Sequence, residues 1–277
     1  MEPSDEKLLD AARAGDRRAL EGLLARHQRR VYRFGLKMCR DPEDAKDVLQ
    51  DTLLAVARGV KDFRGASSMS TWMYTIARSF CIKKRRRSKF APPEEESLDS
   101  EPGKEARGVA DQARGPEESL AGRQIEAALE EAIGSLQPIY REVLVLRDVE
   151  GLTAPEVAEV LGITIEAVKS RLHRARVSVR ERIAPKLGLP GPAAALPLAE
   201  ACPDILDLFS RHLEGEISAD VCARMERHLA SCERCRSSCD SLQKTLALCR
   251  TAPLPEVPKP VQATVRKALK RFLEEHA

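Results

Sequence analysis

The chain has 277 residues, of which 32% are charged and only 4% aromatic, and its formal net charge is +3 at pH 7. That length allows two or three domains whose cores need no covalent staples. With no sustained strand-like alternation, the expectation is an all-α fold. There is no apolar leader and no apolar run of about eighteen residues, so a soluble, cytoplasmic protein with no membrane partner is expected.

Four helices are predicted first, at Glu6–Ala14, Arg17–Cys39, Pro42–Arg58 and Ser70–Arg87. Asp41 can cap the third of these, with Pro42 at its first position. Ala45, Val48, Leu49, Thr52 and Val56 then share its core face, and Asp44, Asp47, Gln50 and Asp51 lie outside. A turn-rich loop at Gly65–Met69 follows, bordered by Phe63, Trp72 and Tyr74 and containing or adjoining Arg64, Ser67 and Ser68. Aromatic rings beside basic groups can stack on an unpaired base, and small hydroxyls can bond its edge. Trp72 and Tyr74 are equally suited to a core. The run Lys83–Lys89 is basic at six of seven positions, whereas Glu94–Glu118 is predominantly acidic. Such a basic run serves either a solvated helix end or a phosphate contact.

Composition divides the chain further. Residues 5–90 form a first helical module, and 91–118 a flexible acidic linker too poor in apolar residues to offset chain entropy. Residues 119–187 form a second helical module, and 188–199 a proline-rich spacer. Residues 200–250 form a cysteine-rich module, and 251–277 a tail. In that tail Val261, Val265, Leu269 and Phe272 make one side of an amphipathic helix over 261–275.

The second module contains TAPEVAEVLGITIEAVKSRLHRARVSVRER, which has the pattern of a helix-turn-helix. Thr153 and Glu156 fit a capping box, Pro155 falls in the first turn where no intrahelical bond is lost, and Gly162 ends the first helix. Thr164 can cap the second. There Ile165, Val168, Leu172, Ala175 and Val179 form one buried stripe. Ser170, His173 and Arg174 face outward with Lys169 and Arg171 on the flanks, a set suited to a major groove.

Six of the eight cysteines follow residue 200, and in a reducing compartment such a cluster favours metal or redox chemistry over structural disulfides. His228, Cys232 and Cys235 stand in an H-x3-C-x2-C arrangement that can converge on a tetrahedral Zn(II), the ion that thiolate and imidazole donors suit. The fourth donor must come from elsewhere. Cys235, Cys239, Leu242, Leu246 and Cys249 continue at helical spacing, so Cys239 and Cys249 fit a buried stripe. A sharper expectation is a second, labile metal or redox site made by Cys222, Cys239 and Cys249. Because there is no glycine-rich phosphate loop, nucleophile constellation or carboxylate pair in an apolar setting, no catalytic residue is assigned.

In sequence order, DPEDAKDVLQ, FRG…STWMYTIAR and AVKSRLHRAR resemble the extracytoplasmic-function sigma factors, compact bacterial relatives of sigma-70 with only the second and fourth sigma regions. The resemblance covers roughly residues 5–90 and 120–185. It implies a promoter-specificity subunit of RNA polymerase with no enzymatic activity. Asp44, Asp47, Gln50 and Asp51 would meet the β′ clamp, and region four the β flap. Phe63, Arg64, Ser67, Ser68 and Trp72 would hold the melted −10 strand; Lys169, His173 and Arg174 match family contacts to the −35 duplex, with Ser170 and Arg171 on the same DNA-facing side of the helix. A separate anti-sigma factor is a further candidate partner. Two positions depart from the family pattern: Ala66 stands where Asp is frequent and Ser79 where Asn is, so the resemblance does not supply the −10 sequence. The competing assignment is an operator-binding regulator that uses the same helix-turn-helix without polymerase.

The cysteine-rich stretch resembles the zinc-binding fold of anti-sigma factors, in which a cysteine at the start of the domain closes the site. This selects Cys202 as the fourth ligand, with Cys222 and His212 as competitors, and suggests that the module regulates the sigma regions in response to metal or thiol state.

Overall fold

The computed structural model describes residues 3–90, 116–188 and 202–275, so the expected linker up to residue 115 and the spacer at 189–199 lie outside the described residues. Among those residues the chain forms twelve α-helices and no strand. The first four are α1 (Asp5–Arg13), α2 (Arg17–Cys39), α3 (Pro42–Gly59) and α4 (Met69–Phe90). Next come α5 (Pro116–Gly134), α6 (Pro138–Leu144), α7 (Ala154–Leu161) and α8 (Ile165–Ile183). The last four are α9 (Ile205–Leu213), α10 (Ala219–Ser231), α11 (Glu233–Thr251) and α12 (Lys259–Glu275). Helix α5 starts at Pro116, inside the segment expected to be linker, because proline and two glutamates suit a first turn.

The helices form two compact units, Met1–Arg114 with Pro253–Ala277, and Gly115–Ala252. The C-terminal extension is therefore divided: the cysteine-rich helices belong to the unit of the helix-turn-helix, and α12 to the unit of α1–α4.

In the first unit Leu23, Leu24 and Phe34 of α2 pack with Val48, Leu49 and Val56 of α3 and with Met73 and Ala77 of α4. Gly35 permits the close crossing of α2 and α3, since a Cβ there would lie 3.3 Å from the Ala45 backbone. Arg40 closes α2 in the left-handed conformation (φ 64°), and Asp41 caps α3 by accepting from the Asp44 amide at 2.8 Å. Helix α12 lies against α3. Its Val265 and Leu269 are buried, and the Arg58 guanidinium sits 5.7 Å from the Phe272 ring. The strand of chain before α12 is tied down by Arg29, which donates to the Leu254 and Pro255 carbonyls at 2.6 and 3.2 Å.

In the second unit Leu144, Leu146, Val157, Leu172, Val179 and Ile183 are buried around the helix-turn-helix. A π-helical turn at Val145–Val149 continues α6. The extra residue of such a turn changes which side chain points inward, and here Asp148 is buried. The cysteine-rich part has a small core of Ile205, Met225, Cys235 and Cys239, bordered by Leu206, Phe209 and Leu229.

Candidate nucleic-acid interface and metal centre

The helix-turn-helix is set by its caps. Thr153 Oγ1 accepts from the Glu156 amide while Glu156 accepts from the Thr153 amide at 2.8 Å, forming the predicted capping box. Gly162 ends α7 at φ 64°, and Thr164 caps α8 by accepting from the Ala167 amide at 3.2 Å. Val168, Leu172, Ala175 and Val179 are buried as the stripe requires, with Ile165 half-buried at its start.

The opposite face is not open water. Ser170 and Arg174 are exposed, but Lys169, Arg171 and His173 are half-buried. Lys169 Nζ is paired with Glu216 Oε1 at 2.7 Å, and Arg174 donates to the Tyr140 hydroxyl at 3.3 Å. His173 Nδ1 is buried with no hydrogen-bond partner. Helix α9 and the turn after it form the other wall of a cleft of about 450 Å³ along this face, contributing Asp204, Asp207 and Glu214.

One arginine that the sequence pattern did not single out anchors that wall. Arg176 is fully buried and makes two bonds to Asp148, Nε to Oδ2 at 2.9 Å and Nη2 to Oδ1 at 2.7 Å. It also donates to Ser210 Oγ at 3.0 Å and Glu214 Oε1 at 2.7 Å. Glu214 accepts a further bond from Arg147 Nε at 2.9 Å. Burial alone would raise the Glu214 carboxyl, but the Arg176 and Arg147 guanidiniums outweigh it and hold the group below its ordinary value. The acidic end of α9 is thus locked to the same helix that carries Lys169, His173 and Arg174. Sequence gave no signal for this, because a basic residue beside an apolar stripe ordinarily reads as surface.

Cys202, His228, Cys232 and Cys235 come together, with one donor atom from each lying within 4.8 Å of the others. Cys202 precedes α9 and His228 sits in the last turn of α10. Cys232 breaks the chain between α10 and α11 in an extended conformation (φ −115°, ψ 101°), which turns Cys235 back toward it. The Cys202 and Cys232 sulfurs are 4.0 Å apart; tetrahedral Zn–S bonds of about 2.3 Å require an edge of about 3.8 Å. His228 Nε2 is buried without a partner, an orphan that a metal would satisfy. Hydrogen bonds from the Cys235 amide and thiol lower the Cys232 thiol. Burial first, and then Cys232 and Cys202, push Cys235 up to about 12. Three thiols this close resist ionising together unless a cation joins them. The donor set fits a structural Zn(II), and Cys202 completes it in preference to Cys222 or His212.

The expected second site does not form: Cys222, Cys239 and Cys249 make no metal-holding group among the described residues. Cys239 and Cys249 are buried on the apolar stripe of α11, where burial pushes Cys239 up to about 11. Cys222, on α10, borders the core that holds Cys239, with its sulfur 3.7 Å from His212 Nδ1 and 3.5 Å from Glu226 Oε1.

In the first unit the predicted acidic face of α3 is present. Lys84 of α4 bridges Asp44 at 3.4 Å and Asp47 more closely, while Gln50 and Asp51 are half-buried. Burial, and then the Asp47 charge, raise the Asp51 carboxyl. The loop before α4 departs from expectation. Phe63 is buried and stacked on Trp72, with ring centroids 4.6 Å apart, so it buttresses the loop and presents no open ring. Trp72 is half-buried and Tyr74 fully so, against Phe34 at 5.4 Å. Ser68 is exposed, and its Oγ accepts from the Thr71 amide at 3.1 Å, capping the first turn of α4. Arg64 is exposed and Ser67 half-buried.

These elements make a helical protein with a helix-turn-helix in one unit and a Cys/His cluster beside it. The sigma-70 region 2 family matches residues 23–90, the sigma-70 region 4 family 126–179, and a zinc-finger family 202–236. The ECF RNA polymerase sigma factor SigM of Mycobacterium tuberculosis is 34% identical over 175 residues, covering 63% of this chain and 82% of that one. The RNA polymerase sigma factor CnrH of Cupriavidus metallidurans is 33% identical over 184 residues, covering 65% and 95%. Among solved structures, CnrH in complex with the cytosolic domain of CnrY is similar with a TM-score of 0.47 and 26% identity, covering 63% of this chain and 94% of that one. The chain belongs to the extracytoplasmic-function family of RNA polymerase sigma factors. Such proteins direct transcription initiation and are not enzymes. Among the described residues no helix is long and apolar enough to cross a membrane.

Proposed function

We propose that this sigma factor is restrained by its own C-terminal extension, whose zinc-bound helices cover the −35-reading face and whose last helix covers part of the polymerase-binding face. Lys169, Ser170, Arg171, His173 and Arg174 contact the −35 duplex. Arg64, Ser67 and Trp72, on the scaffold of Phe63 and Ser68, hold the −10 strand. Asp44, Asp47, Gln50 and Asp51 engage the β′ clamp, and the second unit engages the β flap. Cys202, His228, Cys232 and Cys235 hold Zn(II), which supplies folding energy that a core of this size lacks.

The observation that carries this reading is the grip of Glu214 and Glu216 on Arg176 and Lys169. Two carboxylates occupy the side of the helix where phosphates would lie. A second support comes from α12: Thr264, Lys267, Arg271 and Phe272 flank Leu54 and Arg58, which continue the line of Asp47 and Asp51 along α3. Relatives matched over most of their length account for about two thirds of this chain, which supports a sigma portion that folds without the extension.

The test is transcription in vitro with core polymerase and a promoter selected by the protein itself, comparing the full chain with a 1–187 truncation. The truncation is expected to initiate strongly, the full chain weakly, and the full chain to gain activity when a strong chelator removes the metal. Equal activity of the two forms under every condition refutes restraint; a separate anti-sigma partner would then have to supply regulation.

A further inference from the structure

Two cysteines outside the zinc quartet are unexplained by promoter recognition. Cys39 is the last residue of α2 and Cys81 lies in the middle of α4, and their sulfurs are 3.5 Å apart. Their exposure differs: Cys39 is half-buried and Cys81 is buried at 6%. One sulfur can therefore meet a small solute while the other waits behind it. Sharing a proton with Cys81 lowers the Cys39 thiol; burial and the Asp44 and Asp41 carboxylates oppose this, and Lys84 assists it. The attacking sulfur of an oxidation reaction is the thiolate.

The location matters as much as the distance. Lys84 lies one helical turn beyond Cys81 and bridges Asp44 and Asp47 of α3. Between residues 39 and 81 lie all of α3 and the loop holding Phe63, Arg64, Ser67 and Ser68. A bond between the two sulfurs would enclose both in a single covalent loop whose ends are already adjacent in the fold. Bond formation would shorten the sulfur separation from 3.5 Å to about 2.05 Å.

We infer that Cys39 and Cys81 form a peroxide-oxidisable pair, a disulfide-forming site in the first sigma module that is independent of the zinc centre. The Cys39 thiolate attacks one oxygen of hydrogen peroxide; the O–O bond breaks, and the departing hydroxide takes a proton and leaves as water. Cys39 is then a sulfenic acid. The Cys81 sulfur displaces its hydroxyl, the S–S bond forms, and the Cys81 proton leaves with that hydroxyl as a second water. Two thiols lose two electrons and one peroxide is reduced to two waters. Under oxidising conditions the disulfide holds α3 and the loop in their reduced-state arrangement.

The experiment treats the full, zinc-loaded chain with a small excess of hydrogen peroxide, then maps linked peptides by mass spectrometry after digestion without reductant. A Cys39–Cys81 linked pair is expected, lighter by the mass of two hydrogens, absent in C39S and reversed by dithiothreitol. Thermal unfolding of the first unit should shift upward by several degrees on oxidation, because closing a loop of this length restricts the unfolded chain, and C81A should abolish the shift. The inference fails if Cys39 stops at sulfinic acid with Cys81 still reduced. It also fails if Cys39 links to a cysteine of the zinc quartet or of a second molecule, or if neither sulfur reacts. The mapping reads the unsubstituted protein directly, so it does not depend on either variant folding.

Discussion

Replacing Glu214 with alanine tests the restraint at a buried ion pair. The side chain is only 7% exposed and joins Arg176 at 2.7 Å and Arg147 at 2.9 Å. Breaking a buried ion pair by removing one partner costs about 3–5 kcal/mol. Here Arg176 keeps both bonds to Asp148 and its bond to Ser210, and Arg147 is partly exposed and can rehydrate. The remaining bonds bring the cost to the bottom of that range or below it, about 2–3 kcal/mol, equivalent to about a 30- to 150-fold shift in the equilibrium between the covered and uncovered recognition helix. The assay is fluorescence anisotropy with a labelled −35 duplex at fixed salt, comparing wild type, E214A and the 1–187 truncation. Wild type should bind weakly and the truncation tightly. E214A should move toward the truncation by up to that factor, or until it meets it. Wild type binding as tightly as the truncation, or E214A binding like a weak wild type, would refute the argument that this carboxylate holds the cover in place.

Three further outcomes follow from the same geometry. The folded-state Glu214 carboxyl lies below its ordinary value, so its contribution is complete above the unfolded value of about 4.3 and is lost as pH falls through the folded one. Stability of the second unit, measured by denaturant titration between pH 6 and pH 3, should fall more steeply in wild type than in E214Q; parallel curves would exclude the linkage. K169A in the 1–187 truncation should weaken duplex binding about equally across sequences and lower the salt slope by about one, and an unchanged slope would remove Lys169 from the phosphate contacts. T153A deletes the hydroxyl half of the capping box on α7 and should cost about 1 kcal/mol of second-unit stability, read from the urea midpoint, with no change in metal content.

Much of this protein was legible in local patterns. The caps at Asp41, Thr153 and Thr164, the break at Gly162, the core faces of α3 and α8, and the amphipathic α12 are written in residues no more than a few turns apart. Helix formation and capping depend on such neighbours alone. The spacing of His228, Cys232 and Cys235 was legible for the same reason, and it was the family resemblance that pointed to Cys202 beside them. Other features needed the folded chain. Phe63 turned inward because Trp72, nine positions on, offered a stacking surface. Cys222, Cys239 and Cys249 make no common group among the described residues because Cys239 and Cys249 are buried on the stripe of α11, while the Cys222 thiol meets His212 and Glu226. Arg176 became buried only because a π turn aims Asp148 at it and α9 delivers Ser210 and Glu214.

The amino-acid order alone thus determined the helical class, the helix ends marked by caps, the Cys/His spacing and the membership of the sigma family. Tertiary structure alone decided that α12 packs on α3 and that α9 and α11 pack on α8, and that Cys39 meets Cys81. Period and capping are properties of a segment and its immediate neighbours. A buried ion pair or a thiol pair joins residues tens of positions apart, and its existence depends on how whole helices pack.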